Sequence, residues 1–144
     1  MKIYFAGSIR AGRGDAPWYA RCVQYLEKYG QILTEHVGDG SLSELGEDGK
    51  DDNLGHIHSR DMAWLQTADV VVAEVSQPSL GVGYEIASAI FLKKPVLCLY
   101  RIQPGTRLSG MLEGNPHIAI TQFSTEAQAL SAIDSFFEGI TDKP

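Results

Sequence analysis

The chain has 144 residues, 44% hydrophobic and 21% charged, the balance of a soluble globular protein and enough for one domain, 1–144, with a real core. A formal net charge of −6 and a pI near 5.1 argue against a nucleic acid polymer as the main partner, since that needs a basic face, though a small phosphorylated ligand needs only a few local donors. No apolar run reaches the length of a membrane span, and MKIYFAGSIR lacks the apolar core of a signal peptide. With Cys22 and Cys98 read as free buried thiols, a cytoplasmic location is expected, or a nuclear one if the chain is eukaryotic.

Short β-branched runs alternate with longer helical patterns. KIYFAG (2–7) reads as a strand, and DAPWYARCVQYLEKYG (15–30) as a helix with Asp15 as N-cap, Pro17 in its first turn and Gly30 as its stop. QILTEHV (31–37) reads as a second strand. GDGSLSELGEDGKDDN (38–53) is longer than a usual connection and is either a solvated loop or a lid over a site. LGHIHSRDMAWLQTA (54–68) reads as a helix, DVVVAEV (69–75) as a third strand and GYEIASAIFLKK (83–94) as a third helix. PVLCLY (95–100) and HIAITQF (117–123) are strands four and five. A last helix begins at Ser124–Thr125, where Thr125 and Gln128 can form a capping box. The near-continuous apolar character of strands three and four predicts an α/β fold, a doubly wound five-stranded parallel sheet of Rossmann or flavodoxin-like order 2-1-3-4-5. A ligand site then lies at the carboxyl ends of the strands.

The turns after the strands carry the unusual residues. AGSIRAGRG (6–14) offers Gly7, Ser8 and Arg10 in a turn with neither a Walker pattern nor GxGxxG spacing. It is either a kit for a single phosphate or a glycine-rich turn with solvated arginines. In QPSLGVGYE (77–85), Gly81 and Gly83 match the first two glycines of a dinucleotide fingerprint, but Ile86 stands at the third. Glu85 falls in the first turn of the helix predicted over 83–94, where the helix dipole keeps a carboxylate ionised. It is a nucleophile or a helix-start glutamate.

Asp61 shares a helix face with Ile57, Trp64, Leu65 and Ala68. In that apolar stripe an unpaired carboxylate would have a raised pKa and suit a general acid; the alternatives are a loop cap or a pair with Arg60 or Arg101. Two carboxylates in contrasting environments are the pattern used to cleave glycosidic bonds. Tyr4, on the same side of the first strand as Lys2 and Ala6, either packs or places a phenol near Glu85. The four histidines form no metal set, and His36 can line the pocket.

YFAGSIR (4–10), LTEHV (33–37), DMAWLQTADVVVAEVSQPSLGVGYE (61–85) and KPVLCLYR (94–101) resemble the 2'-deoxynucleoside 5'-monophosphate N-glycosidases of the nucleoside 2-deoxyribosyltransferase superfamily. The resemblance implies hydrolysis of a deoxynucleoside monophosphate to free base and 2-deoxyribose 5-phosphate, with no cofactor. Glu85 would be the nucleophile that forms a covalent deoxyribosyl intermediate, Asp61 the acid that assists departure of the base, and Tyr4 the residue that orients the nucleophile. Gly7, Ser8, Ile9, Arg10, Ser79 and Gly81 would surround the 5'-phosphate. Ser109 would reach the phosphate of a neighbouring subunit in a homodimer, with Met111 close by. The resemblance weakens over 38–53 and after residue 113. A transferase that passes the sugar to a second base, a CMP-type N-glycosidase and a non-catalytic nucleotide sensor are the competing readings.

Overall fold

The computed structural model describes residues 1–9, 14–38 and 54–142. Strands and helices alternate as β1 (Lys2–Ala6), α1 (Ala16–Leu26), β2 (Gln31–Ile32), α2 (Leu54–Thr67), β3 (Val70–Glu74), α3 (Leu80–Phe91), β4 (Val96–Arg101), α4 (Gly110–Glu113), β5 (Ala119–Phe123) and α5 (Glu126–Thr141). The strands form one parallel sheet in the order β2-β1-β3-β4-β5, as the alternation predicts.

Strand alternation sorts side chains to two cores. Ile3, Phe5, Val70, Val72, Leu97 and Leu99 meet Trp18, Cys22 and Leu26 of α1 and Ile133 and Phe137 of α5. Tyr4, Ala6, Val71, Ala73, Val96 and Cys98 meet Leu65 of α2 and Val82, Ile86 and Ala89 of α3. Each large aliphatic side chain so buried contributes roughly 1.5–3 kcal/mol. Both cysteines are free and buried. The strand order reverses between β1 and β3, which opens a crevice at their carboxyl ends.

Four local expectations change. β2 spans two residues rather than seven, and a 3-10 turn over Glu35–Gly38 follows it. Thr34 ends the strand: its hydroxyl accepts from the Phe5 amide at 2.8 Å and donates to the Phe5 carbonyl at 2.7 Å, in place of a further backbone rung. α1 ends at Leu26, and Gly30 instead lets the chain start approach β2, since a Cβ there would lie 2.1 Å from the Met1 carbonyl oxygen. Asp15 occupies the N-cap position of α1 without capping it, because its carboxylate accepts from Arg101 Nη1 at 2.7 Å. Finally, α3 begins at Leu80, three residues earlier than the pattern predicts, with the Ser79 hydroxyl accepting from the Val82 amide. The capping box of Thr125 and Gln128 forms as expected.

Candidate active site

Tyr4 stands on the α2–α3 side of β1, where strand parity also puts Ala6, and is 1% exposed. Its hydroxyl donates to Glu85 Oε1 at 2.5 Å. The earlier start of α3 puts Glu85 in the second turn, beyond the reach of the helix N-terminal charge. Burial instead dominates and pushes the Glu85 carboxyl up to about 7; the Tyr4 hydrogen bond opposes this and the charge of Asp61 adds to it. The Tyr4 phenol is itself driven far above its usual value, first by burial and then by Glu85, so it remains a donor.

Asp61 lies on α2 beside the buried Leu65, and its charge acts on both Tyr4 and Glu85, so the three groups share one field. The unpaired setting expected for Asp61 is replaced by an ion pair. Arg60 Nε and Nη2 donate to the same oxygen, Asp61 Oδ1, at 3.0 and 2.8 Å, with the Asp61 side chain 21% exposed. The Arg60 guanidinium carbon lies 4.6 Å from the centre of the Trp64 ring. Arg60 is the site residue that sequence reasoning treated only as an alternative partner. The signal was an arginine four residues before a tryptophan, the spacing of a cation–π contact on a helix. One turn earlier, His58 Nε2 lies 3.2 Å from the Tyr84 hydroxyl.

The expected phosphate residues divide. Ser8 is fully buried and its hydroxyl has no partner among the described residues, which suits an acceptor arriving from outside the protein. Gly7 serves packing, because a Cβ would crowd Tyr19 and Val37 at 3.1 Å. Ile9 packs against the core on the α1 side. Arg10 and nearly all of the 38–53 segment lie outside the described residues, as does the side chain of His36, whose backbone belongs to the 3-10 turn. Ser79 caps α3, and a Cβ at Gly81 would meet only Ser79 Oγ, at 3.8 Å. Among the described residues no group of three or more His, Cys, Asp or Glu could hold a metal.

Ser109 and Met111 lie across α3 from the carboxylates. Ser109 caps α4, and Met111 is 84% exposed. Together with Ser79, Val82, Ile86 and Tyr100 they line an apolar groove of about 600 Å³ that includes none of Tyr4, Asp61 and Glu85. Within this chain, the structure therefore does not bring Ser109 to the carboxylate cluster.

Residues 3–116 match the family model described as nucleoside 2-deoxyribosyltransferase. The chain belongs to this family. Relatives span nearly its full length. One is a 5-hydroxymethyl-dUMP N-hydrolase of Esox lucius, 48% identical over 98% of this chain and 99% of that one. Another is a putative 2'-deoxynucleoside 5'-phosphate N-hydrolase 1 of Trichoplax adhaerens, 50% identical over 99% and 96%. The 5-hydroxymethyl-dUMP N-hydrolase of Homo sapiens is 45% identical over 94% and 79%. Among solved structures, the Clostridium botulinum CMP N-glycosidase superposes with a TM-score of 0.65, covering 93% of this chain and 99% of that one. At 14% identity this likeness carries the fold alone.

Proposed function

We propose that the protein is an N-glycosyl hydrolase that releases the base from 2'-deoxynucleoside 5'-monophosphates and leaves 2-deoxyribose 5-phosphate. The observation that carries this reading is the near-full-length similarity, at 45–50% identity, to N-hydrolases of such nucleotides. The Tyr4–Glu85 hydrogen bond within a field shared with Asp61 supplies the chemistry.

Glu85, once ionised, attacks the anomeric carbon while the bond to the base breaks. Asp61 gives its proton to the departing base, and then takes a proton back from the water that releases the sugar from Glu85. Positive charge that develops on the sugar ring is met by the adjacent carboxylate. Tyr4 holds Oε1 so that Glu85 presents one oxygen to the sugar. Ser8, Arg10, Ser79 and the amides near Gly81 hold the 5'-phosphate.

The enzyme works as a homodimer in which Ser109 and Met111 serve the neighbouring subunit's site. Leu80, Tyr84 and Phe91 support this: they are exposed at 97, 56 and 87% and repeat along one side of α3 beside the apolar groove. The buried free thiols support a reducing, cytoplasmic location.

Product analysis tests the reading. The protein is incubated with 5-hydroxymethyl-dUMP, dCMP, dGMP and CMP, each with and without free adenine. Free base and 2-deoxyribose 5-phosphate are expected from the deoxynucleotides. Formation of deoxyadenosine 5'-monophosphate from a deoxynucleotide and adenine would make it a transferase, and preference for CMP a ribonucleotide N-glycosidase. Glu85→Gln is expected to abolish base release and Asp61→Asn to leave only a slow residual rate, roughly 10²–10⁴-fold below the parent, while nucleotide binding remains measurable by calorimetry.

A further inference from the structure

Neighbouring residues on a helix point about 100° apart, so an arginine does not meet the aspartate beside it unless its side chain curls back. Arg60 does curl back. Its guanidinium lies over the Trp64 ring one turn onward, at 4.6 Å, and from there two of its N–H groups converge on Asp61 Oδ1. Asp61 Oδ2 receives no hydrogen bond among the described residues. The arrangement is therefore asymmetric, with one carboxylate oxygen saturated by a cation and the other left open. The charge of Arg60 also acts on Tyr4, so the guanidinium belongs to the same field as the Tyr4–Glu85 pair.

We propose that Arg60 is a positioning residue for base departure: it occupies Oδ1, directs the acid proton of Asp61 to Oδ2, and neutralises the carboxylate that remains when that proton leaves. This rests on the acid role given to Asp61 above. An oxygen that accepts two N–H bonds from a guanidinium has no reason to carry a proton, because the proton would face two donors. As the C1'–N bond breaks, its electron pair stays on the base nitrogen system and the Oδ2 proton goes to the base. Asp61 is then an anion paired with Arg60 through a contact already in place, so no side chain has to move during the step. The ring of Trp64 holds the planar guanidinium in register, a task a lysine's point charge cannot reproduce.

The test is kinetic. Arg60→Met is expected to lower kcat for the nucleotide roughly ten- to a hundredfold, within the range general acid catalysis supplies, with KM changed less than about threefold. Arg60→Lys recovers part of that loss. The double variant Arg60→Met/Asp61→Asn is expected to be no slower than Asp61→Asn alone, because Arg60 acts through Asp61. With 4-nitrophenyl 2-deoxyriboside 5-phosphate, whose phenolate leaves without a proton, Arg60→Met is expected to react within about twofold of the parent enzyme. Thermal melting establishes that each variant is folded, and Arg60→Gln gives the same comparison if Arg60→Met does not fold. Equal slowing on both substrates, or additive losses in the double variant, overturns the inference. If Asp61→Asn is slow on the nucleotide and Arg60→Met is not, the inference alone fails. Full activity of Asp61→Asn removes the acid role itself.

Discussion

A phenol that donates to a carboxylate favours its ionised form, and Tyr4 does this for Glu85 against the larger effect of burial. Glu85 therefore gains its charge as pH rises through about 7. kcat/KM is expected to climb across that range. Tyr4→Phe removes one stabiliser of the charge, so the rising limb moves to higher pH. A hydrogen bond to a charged group contributes about 1.5–3 kcal/mol, so the displacement is about one pH unit or more, read from a pH–rate profile. The pairing of Tyr4 with Glu85 was legible in the sequence, since strand parity fixes the side of β1 and the quoted blocks carry the resemblance. The Arg60–Asp61 contact was not. Sequence spacing reports which helix residues share a face, and this contact depends on a long side chain folded back by an aromatic ring.

At the scale of elements, β3 delivers a second buried carboxylate to the opposite face of the sheet. Glu74 follows the parity of Val70 and Val72, toward α1, and is fully buried. It accepts from the hydroxyl of Ser76 and from the Ser76 amide, while Ser76 Oγ accepts from the Arg101 amide at 2.7 Å. Arg101 in turn holds Asp15. Burial outweighs the Ser76 hydrogen bonds and raises the Glu74 carboxyl to about 7, with the charge of Asp15 adding and that of Arg101 opposing.

A raised carboxyl stabilises the fold fully below its unfolded value, and this contribution is lost as pH rises through about 7. The expected loss for Glu74 is up to about 3 kcal/mol. Glu74→Gln removes the titration, so the fall in stability between pH 5 and pH 8, measured by urea denaturation, is expected to shrink. The strand order and the helices were legible because β3 and β4 are apolar at nearly every position and the helices are amphipathic. The ends of β2 and α3 were not, because side-chain hydrogen bonds decide them. Thr34 ends β2, and Ser79 starts α3 by capping it ahead of two glycines that read as a loop.

For the whole molecule, the proposed partner is a second copy of this chain, a reading that the exposed apolar side of α3 and the separation of Ser109 from Glu85 support. Mixing tests this directly. Ser109→Ala and Glu85→Gln are each expected to be weak or inactive alone. Co-refolded, they form heterodimers in which one site holds both native residues, so activity is expected to reappear. Phe91→Asp, placing a charge on the exposed stripe, is expected to give a monomer by sedimentation that releases base at least tenfold more slowly, the loss of one group that holds the substrate. Sequence composition cannot reveal this surface, because scattered exposed apolar residues are common and only the helix phase aligns Leu80, Tyr84 and Phe91.

The start of α3 at Leu80 makes the helix a ruler. Glu85 lies six positions after Ser79, a rise of about 9 Å and somewhat under two turns. In the proposed reading, one rigid rod holds the phosphate at its end and the nucleophile along its flank. One residue inserted between them would turn Glu85 through about 100° and lengthen the gap by about 1.5 Å. On that reading the enzyme would gauge its substrate by length: a nucleoside without the phosphate would leave one mark of the scale unread, and added phosphates would overshoot the other end.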